Sequence, residues 1–131
     1  MILADTSVWI EFFRNRETPT AMAMRRRLKA DEVATTDVVM MELLSGTTDE
    51  LRLAKVRRAL AGCTYLPQRA PMDATAAAAL YRQCRRGGEA PRQLIDCLIS
   101  AVAVRNGLAI LQRDRDFDVI ARHSSLAVVD A

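Results

Sequence analysis

The sequence predicts an α/β domain with a largely parallel sheet. Short apolar runs alternate with longer helical patterns along the chain, which is typical of strands joined by helices. Several helical segments begin at proline or a capping side chain and end at glycine. The length of 131 residues fits one domain, residues 1–131, and the 50% hydrophobic and 27% charged content is that of a folded globular chain.

The first half of the chain opens with a strand and a helix. The apolar run Met1 to Ala4 is predicted to be a strand that ends at Asp5. Thr6 and Ser7 then offer capping hydroxyls to a helix that continues through Phe13. The elements predicted after it are a helix over 19–30 with Thr18-Pro19 at its start, a strand over 32–35, a helix over 38–44, a helix over 49–61 and a strand over 63–66.

The second half repeats the alternation of helix and strand. The predicted elements are a helix over 73–86 closed by Gly87-Gly88, a helix opened by Pro91 that ends at Asn106-Gly107, a strand over 109–111, a short helix to about residue 123 and a strand over 126–129. These assignments indicate where the acidic residues of the chain lie relative to the predicted sheet.

Composition excludes several function classes. No apolar stretch is long enough for a membrane span and no secretory signal precedes Arg14, so we expect a cytoplasmic protein without a membrane partner. Three cysteines without a C-x-x-C pair, together with the single His123, exclude a structural zinc site and two-histidine ribonuclease chemistry. The net charge of +3 is a weak indication of a polyanionic partner, and the arginine clusters are typical of solvated helix faces.

Three acidic residues follow predicted strands. Asp5 follows the first strand, and Asp114 and Asp116 follow the strand over 109–111. Ligands of open parallel sheets collect at the carboxyl ends of the strands, where loops and helix N-termini meet. Asp5 alone is also consistent with a simple helix cap.

Two more acids lie in apolar helical segments. Glu42 has no Lys or Arg three or four residues away, so it either points out of a frayed helix end or meets a cation from elsewhere in the fold. Asp96 has Arg92 four residues before it, which allows an ordinary helical ion pair as well as a functional role.

The acids together predict a metal site. Clustered carboxylates repel one another unless a hard cation lies among them, and oxygen ligands suit Mg²⁺ or Mn²⁺. The expected chemistry is metal-assisted attack of water on a phosphodiester.

Four segments carry a resemblance to a known family. They are Ile2 to Ile10, Met41 to Gly46, Leu94 to Ala101 and Gly107 to Phe117. In this order and spacing they resemble the PIN-domain ribonucleases, specifically the VapC-type toxins of toxin–antitoxin pairs.

The resemblance implies a three-layer α/β/α domain with a five-stranded parallel sheet of order 3-2-1-4-5. It implies an acidic pocket with Asp5, Glu42, Asp96 and Asp114 as catalytic residues, and with Asp116 as a further ligand. It also implies endoribonuclease activity, a homodimer, and a small VapB-type antitoxin that plugs the pocket and brings an Arg or Lys close to Asp5 or Asp96.

The same resemblance assigns supporting roles. Thr6 would orient Asp5 or a metal-bound water, and Gln112 stands where members commonly carry a threonine near the metal. Our hypothesis is that Asp5, Asp96 and either Asp114 or Asp116 hold the metal, and that Glu42 positions or deprotonates the water or holds a second metal.

Two other interpretations compete with a nuclease. A receiver domain needs an acid pair after its first strand and a late lysine, whereas Asp5 stands alone and no Lys follows Lys55. A non-catalytic PIN scaffold that binds RNA or a protein is the second alternative. EDTA distinguishes it, because a non-catalytic scaffold is indifferent to chelation and a metal nuclease is not.

Overall fold

The computed structural model describes residues 1–14 and 16–130 of the chain. Strands and helices alternate along it. In chain order they are β1 (Ile2–Ala4), α1 (Thr6–Phe13), α2 (Pro19–Lys29), β2 (Val33–Thr36), α3 (Asp37–Ser45), α4 (Glu50–Ala61), β3 (Thr64–Leu66), α5 (Met72–Arg86), α6 (Leu94–Arg105), β4 (Ala109–Gln112), α7 (Arg115–Arg122) and β5 (Val128–Asp130).

The five strands form one parallel sheet in the order β3-β2-β1-β4-β5. β1 is the central strand, and Leu3 pairs with Ala34 of β2 on one side and with Ile110 of β4 on the other. All three residues of β1 are buried, as expected for a strand covered on both faces. The sheet is flanked by helices, so the predicted three-layer α/β/α fold and its strand order are confirmed.

The starts of α1 and α6 differ from the prediction in ways that change the surroundings of the acids. The N-cap of α1 is Asp5, whose carboxylate accepts a hydrogen bond from the Ser7 amide, so the predicted caps Thr6 and Ser7 lie inside the helix instead. α6 begins at Leu94, after Gln93, and not at Pro91. Pro91 and the two residues after it form a non-helical segment, because proline at a helix start is permitted but does not itself start one.

The core lies between the sheet and the two helix layers. Its largest fully buried side chains include Trp9 of α1, Met24 of α2 and Phe117 of α7. α6 is buried over most of its length, which explains its almost uninterrupted apolar sequence. No helix of the described residues is long and apolar enough to cross a membrane.

One buried ion pair fixes α5 against α6. The Arg105 guanidinium donates to both carboxylate oxygens of Asp73 at 2.9 Å and also to the Pro67 carbonyl. The hydrogen bonds from Arg105 lower the pKa of Asp73 despite its burial. Breaking one partner of such a pair is expensive, so this contact contributes strongly to the position of α6.

Candidate active site

Asp5 and Asp114 lie near each other because they follow β1 and β4, which are neighbours in the sheet. Asp5 follows β1 and caps α1, while Asp114 lies two residues beyond β4 and caps α7 by accepting a hydrogen bond from the Asp116 amide. The Asp5 amide donates to the Leu111 carbonyl, which extends the β1–β4 pairing up to the site. The carboxyl ends of two adjacent parallel strands therefore bring these acids together, as the sequence predicted.

Helix starts supply two more acids. Asp96 lies in the first turn of α6, Asp116 in the first turn of α7, and both are buried. One carboxylate oxygen from each of Asp96, Asp114 and Asp116 lies within 4.8 Å of the others. These three side chains, called the aspartate triad below, have the spacing of ligands around a single cation.

Asp5 and Glu42 lie beside the aspartate triad. Burial is the main cause that raises the pKa of Asp96 from 3.8 to about 8, and the charges of Asp5, Asp114, Asp116 and Glu42 raise it further. The charges of Asp5 and Glu42 are therefore near enough to the aspartate triad to influence Asp96. The pKa of Asp5 is also raised by burial, although hydrogen bonds from Ser7 oppose that effect.

The donor set fits a hard divalent cation. Oδ2 of Asp96 and Oδ2 of Asp116 are buried and make no hydrogen bond within the described structure. Unpaired buried carboxylate oxygens are costly, and a cation that they bind removes that cost. Since all the converging ligands are carboxylate oxygens, they suit a hard, oxygen-binding cation.

Ser7 is the site residue that sequence reasoning missed. Its hydroxyl donates to Oδ2 of Asp5 at 2.6 Å and accepts from the Arg113 amide at 3.2 Å, so it ties the Asp5 carboxylate to the loop after β4. The signal was the pair of hydroxyl residues after Asp5; both were predicted as helix caps, and only Thr6 was also given a role at the site. Thr6 instead donates to Oε1 of Glu42 at 2.9 Å.

That hydrogen bond settles the position of Glu42. It is partly buried on α3, and it neither lies at a frayed end nor has a cation within 4.0 Å in the described structure. Its partner is a neutral hydroxyl, which fixes the direction of the carboxylate without neutralising its charge.

Arg92 contacts the aspartate triad from outside. Its guanidinium lies 3.6 Å from Asp114 and 3.4 Å from Asp116, with its side chain 76% exposed. Of the two alternatives left open for Asp96, the helical ion pair with Arg92 does not form, because Arg92 precedes α6 and so is not on the same helix as Asp96.

Gln112 ends β4 and is buried. Its amide nitrogen donates to Oδ1 of Asp118 at 3.2 Å and to Oδ1 of Asp130 at 2.7 Å. Neither partner belongs to the five acids of the site. The hydrogen bonds of Gln112 thus join β4 to α7 and β5, which supports the loop that carries Asp114.

Comparison with known proteins identifies the family. The family model of the PIN domain matches residues 2–123. The chain belongs to the PIN-domain family. Two mycobacterial relatives of this PIN domain, a VapC ribonuclease of Mycobacterium bovis and ribonuclease VapC11 of Mycobacterium tuberculosis, are each 43% identical over 128 residues, which is 96% of this chain and 96% of theirs. The predicted VapC-type resemblance is confirmed.

The fold of this PIN domain is also shared with solved structures. A chain of the VapBC2 complex of Rickettsia felis, crystallised with a DNA fragment from its promoter, superposes with a TM-score of 0.80 at 15% identity over 100% of this chain and 99% of that one. A chain of VapBC-5 of Mycobacterium tuberculosis superposes with a TM-score of 0.68 at 24% identity over 99% and 98% of the two chains. Both confirm the architecture.

Proposed function

We propose that this protein is the toxin of a type II toxin–antitoxin pair and cleaves RNA internally as an Mg²⁺- or Mn²⁺-dependent ribonuclease. The observation that carries the proposal is the convergence of five carboxylates, two with unpaired buried oxygens, in a PIN domain 43% identical to VapC ribonucleases. Without any second histidine in the chain, the site relies on carboxylates and a cation for phosphodiester chemistry.

The aspartate triad would hold the cation, with Asp5 as an additional ligand. Arg92 then has to leave the carboxylates that it contacts, and its 76% exposed side chain is free to do so. A divalent cation held by these carboxylates would supply polarisation of the scissile phosphate and a lowered pKa for a bound water molecule. The raised pKa of Asp96 follows mainly from its burial, and the crowding of negative charge adds to it, because each carboxylate raises the cost of ionising the next.

The remaining side chains position the reaction. The Thr6 hydroxyl orients Glu42, which leaves the other carboxylate oxygen of Glu42 to accept a proton from the attacking water. Ser7 holds Oδ2 of Asp5 through both its amide and its hydroxyl, which fixes the orientation of that carboxylate. Hydrolysis forms the bond from the water oxygen to phosphorus and breaks a phosphorus–oxygen bond of the backbone, and the leaving ribose oxygen takes up a proton from solvent.

The partners follow from the same family. Structural neighbours come from VapBC toxin–antitoxin complexes, so we propose a VapB-type antitoxin as inhibitor and a homodimer as the toxin's own assembly. An antitoxin Arg or Lys near Asp5 or Asp96 would place a positive charge where burial and mutual repulsion make the carboxylates least stable as anions. A complex in which both carboxylates are free of partner side chains would contradict this detail.

The test is cleavage of total RNA by the purified protein, with new 5′ ends mapped by sequencing. We expect a few sharp cuts with Mg²⁺ or Mn²⁺, no cuts with EDTA, and none with Asp5→Asn. Asp31→Asn is the matched control, since Asp31 is exposed and its backbone has a positive φ of 57° that Asn tolerates well. RNA binding that is indifferent to EDTA, without cuts under either metal, would support the non-catalytic scaffold.

A further inference from the structure

A groove runs from the acidic site along the outside of the protein. Its first part is a cavity of about 650 Å³ between α1, α3 and α4, and Glu42 is one of its lining residues. Its second part is a cavity of about 420 Å³ that extends towards α2. The two parts share Phe13 and Lys55, so they form one continuous surface, called the basic groove below.

Positive charge dominates the basic groove. Glu42 is the one acidic residue among the described residues that line it, while six lining residues are cations: Arg14, Arg16, Arg25, Arg52, Lys55 and Arg58. Two of the six have a carboxylate within 4.0 Å, namely Arg14 with Glu11 at 3.6 Å and Arg52 with Asp49 at 3.9 Å. The other four have no such partner within the described residues, so most of the charge faces solvent uncompensated.

This charge is not explained by the stability of the fold. Lys55 and Arg58 are exposed on α4, and Arg52 is exposed to 79% of its side chain. Like charges gathered along one groove repel one another, which slightly disfavours the folded state. An anionic ligand removes that repulsion, and a flexible polyanion gains most because it contacts several cations in succession.

Single-stranded RNA fits the basic groove better than other polyanions do. The aspartate triad with Asp5 and Glu42 repels phosphates, so RNA that reaches the acids needs attraction from outside them. Glu42 belongs both to the acidic site and to the groove, so a strand leaving the acids enters the cations directly. Phe12 and Phe13 also line the groove; both are half-buried against Trp9, and the part of each ring that stays exposed can stack with unpaired bases.

We infer that the basic groove binds the phosphate backbone of single-stranded RNA on one side of the cleavage point. The inference rests on the proposed ribonuclease function and adds where its substrate lies. It also gives a role to two arginines, Arg25 and Arg58, that belong to clusters typical of solvated helix faces. An acidic segment of a protein partner is the competing occupant, and the experiment separates the two.

The experiment measures RNA binding without cleavage. A fluorescein-labelled single-stranded RNA of about 20 nucleotides is titrated with the protein in EDTA by fluorescence anisotropy at several salt concentrations. The test variant is Lys55→Ala with Arg58→Ala. The control is Lys29→Ala with Arg57→Ala, which removes the same charges from exposed positions outside the groove.

We expect the groove variant to bind about tenfold more weakly near 0.1 M salt and its salt dependence to flatten by about 1.4 in slope, since each single-strand phosphate contact contributes about 0.7. The control should stay within about twofold of the wild type. Equal losses in both variants, unchanged binding by the groove variant, or no RNA binding by the wild type would each overturn the inference.

Two further arms separate the causes of failure. If the groove variant keeps RNA binding but no longer binds polyglutamate, the occupant is an acidic polypeptide and the inference is wrong. If the wild type cleaves no RNA under any metal while the groove variant still loses RNA binding selectively, the groove stands and the ribonuclease proposal fails. Thermal melts of both variants check that the exposed substitutions leave the fold intact.

Discussion

Replacing Asp96 with asparagine should stabilise the metal-free protein at neutral pH. The folded pKa of Asp96 is about 8, whereas its ordinary value is 3.8. A raised carboxyl pKa means that the unfolded chain releases its proton first, so stability falls as the pH rises from 3.8 towards 8. At pH 7 the folded protein still holds the proton, at a cost of about 4 kcal/mol.

Asparagine cannot ionise, so it removes this cost. The substitution also lowers the free energy of unfolding for a separate reason. The buried Oδ2 of Asp96 has no hydrogen-bond partner, so an amide at that position leaves a buried polar group unsatisfied, which costs about 1 to 3 kcal/mol. The net expectation is a gain of about 2 kcal/mol at pH 7, or a rise in Tm of about 5 °C or more. At pH 4.5 the gain should vanish or reverse.

Urea unfolding in EDTA at several pH values between 4.5 and 7.5 measures this difference. The stability of Asp96→Asn relative to the wild type should increase by roughly 1 kcal/mol per pH unit. Asp31→Asn should show no such trend, since Asp31 is exposed. A stability difference for Asp96→Asn that is constant across this range would refute the argument, because it would mean that Asp96 is ionised in the folded protein.

Three further predictions concern neighbouring contacts. Arg92→Ala should tighten Mn²⁺ binding severalfold in calorimetry, because it removes a cation that lies 3.4 Å from a triad carboxylate. Arg105→Ala should destabilise the protein by about 3 to 5 kcal/mol in urea unfolding, because it removes the charged partner of the buried Asp73 carboxylate and leaves it the hydrogen bond from the Arg69 amide. Thr6→Val should lower kcat for RNA cleavage by about tenfold with little change in KM, since Glu42 loses its orienting hydroxyl but keeps its charge.

Each of these predictions has a clear contrary result. Weaker Mn²⁺ binding by Arg92→Ala would mean that the arginine supports the cation instead of competing with it. Stability close to the wild type for Arg105→Ala would show that Asp73 is accessible to water. An unchanged kcat for Thr6→Val would mean that the hydrogen bond from Thr6 to Glu42 does not contribute to catalysis.

The sequence predicted the fold and the gathering of the acids because both follow from topology. Asp5 and Asp114 follow strands, and parallel strands that lie side by side end at the same edge of the sheet. This placement depends on the strand order and not on any side-chain detail. The alternation of strands and helices, with the resemblance to PIN domains, was sufficient to predict it.

Side-chain contacts were predicted less well because they depend on where each helix begins. The ion pair between Arg92 and Asp96 assumed that α6 starts at Pro91, and a start at Leu94 releases Arg92 to contact Asp114 and Asp116 instead. Element boundaries are the least certain part of any sequence pattern. A shift of three residues in the start of α6 therefore gives Arg92 different partners.

The hydroxyls after Asp5 show the same limit. Thr6 and Ser7 are adjacent on α1, so their side chains point about 100° apart around the helix axis and reach different acids. Which hydroxyl serves which acid follows from the position of the N-cap, and that position was one residue earlier than the hydroxyls themselves suggested.

The central position of β1 also has a consequence during synthesis. Ser7 and Arg113 are 106 residues apart in the sequence yet share a hydrogen bond at the site, and β1 has β4 as a neighbour in the sheet. A chain emerging from the ribosome at about 5 to 20 residues per second therefore carries Asp5 and Glu42 for several seconds before the other acids exist. During that interval the nascent polypeptide has at most three of the five strands, β1, β2 and β3, and no assembled acidic site, so the chemistry proposed here begins only when translation has passed α7.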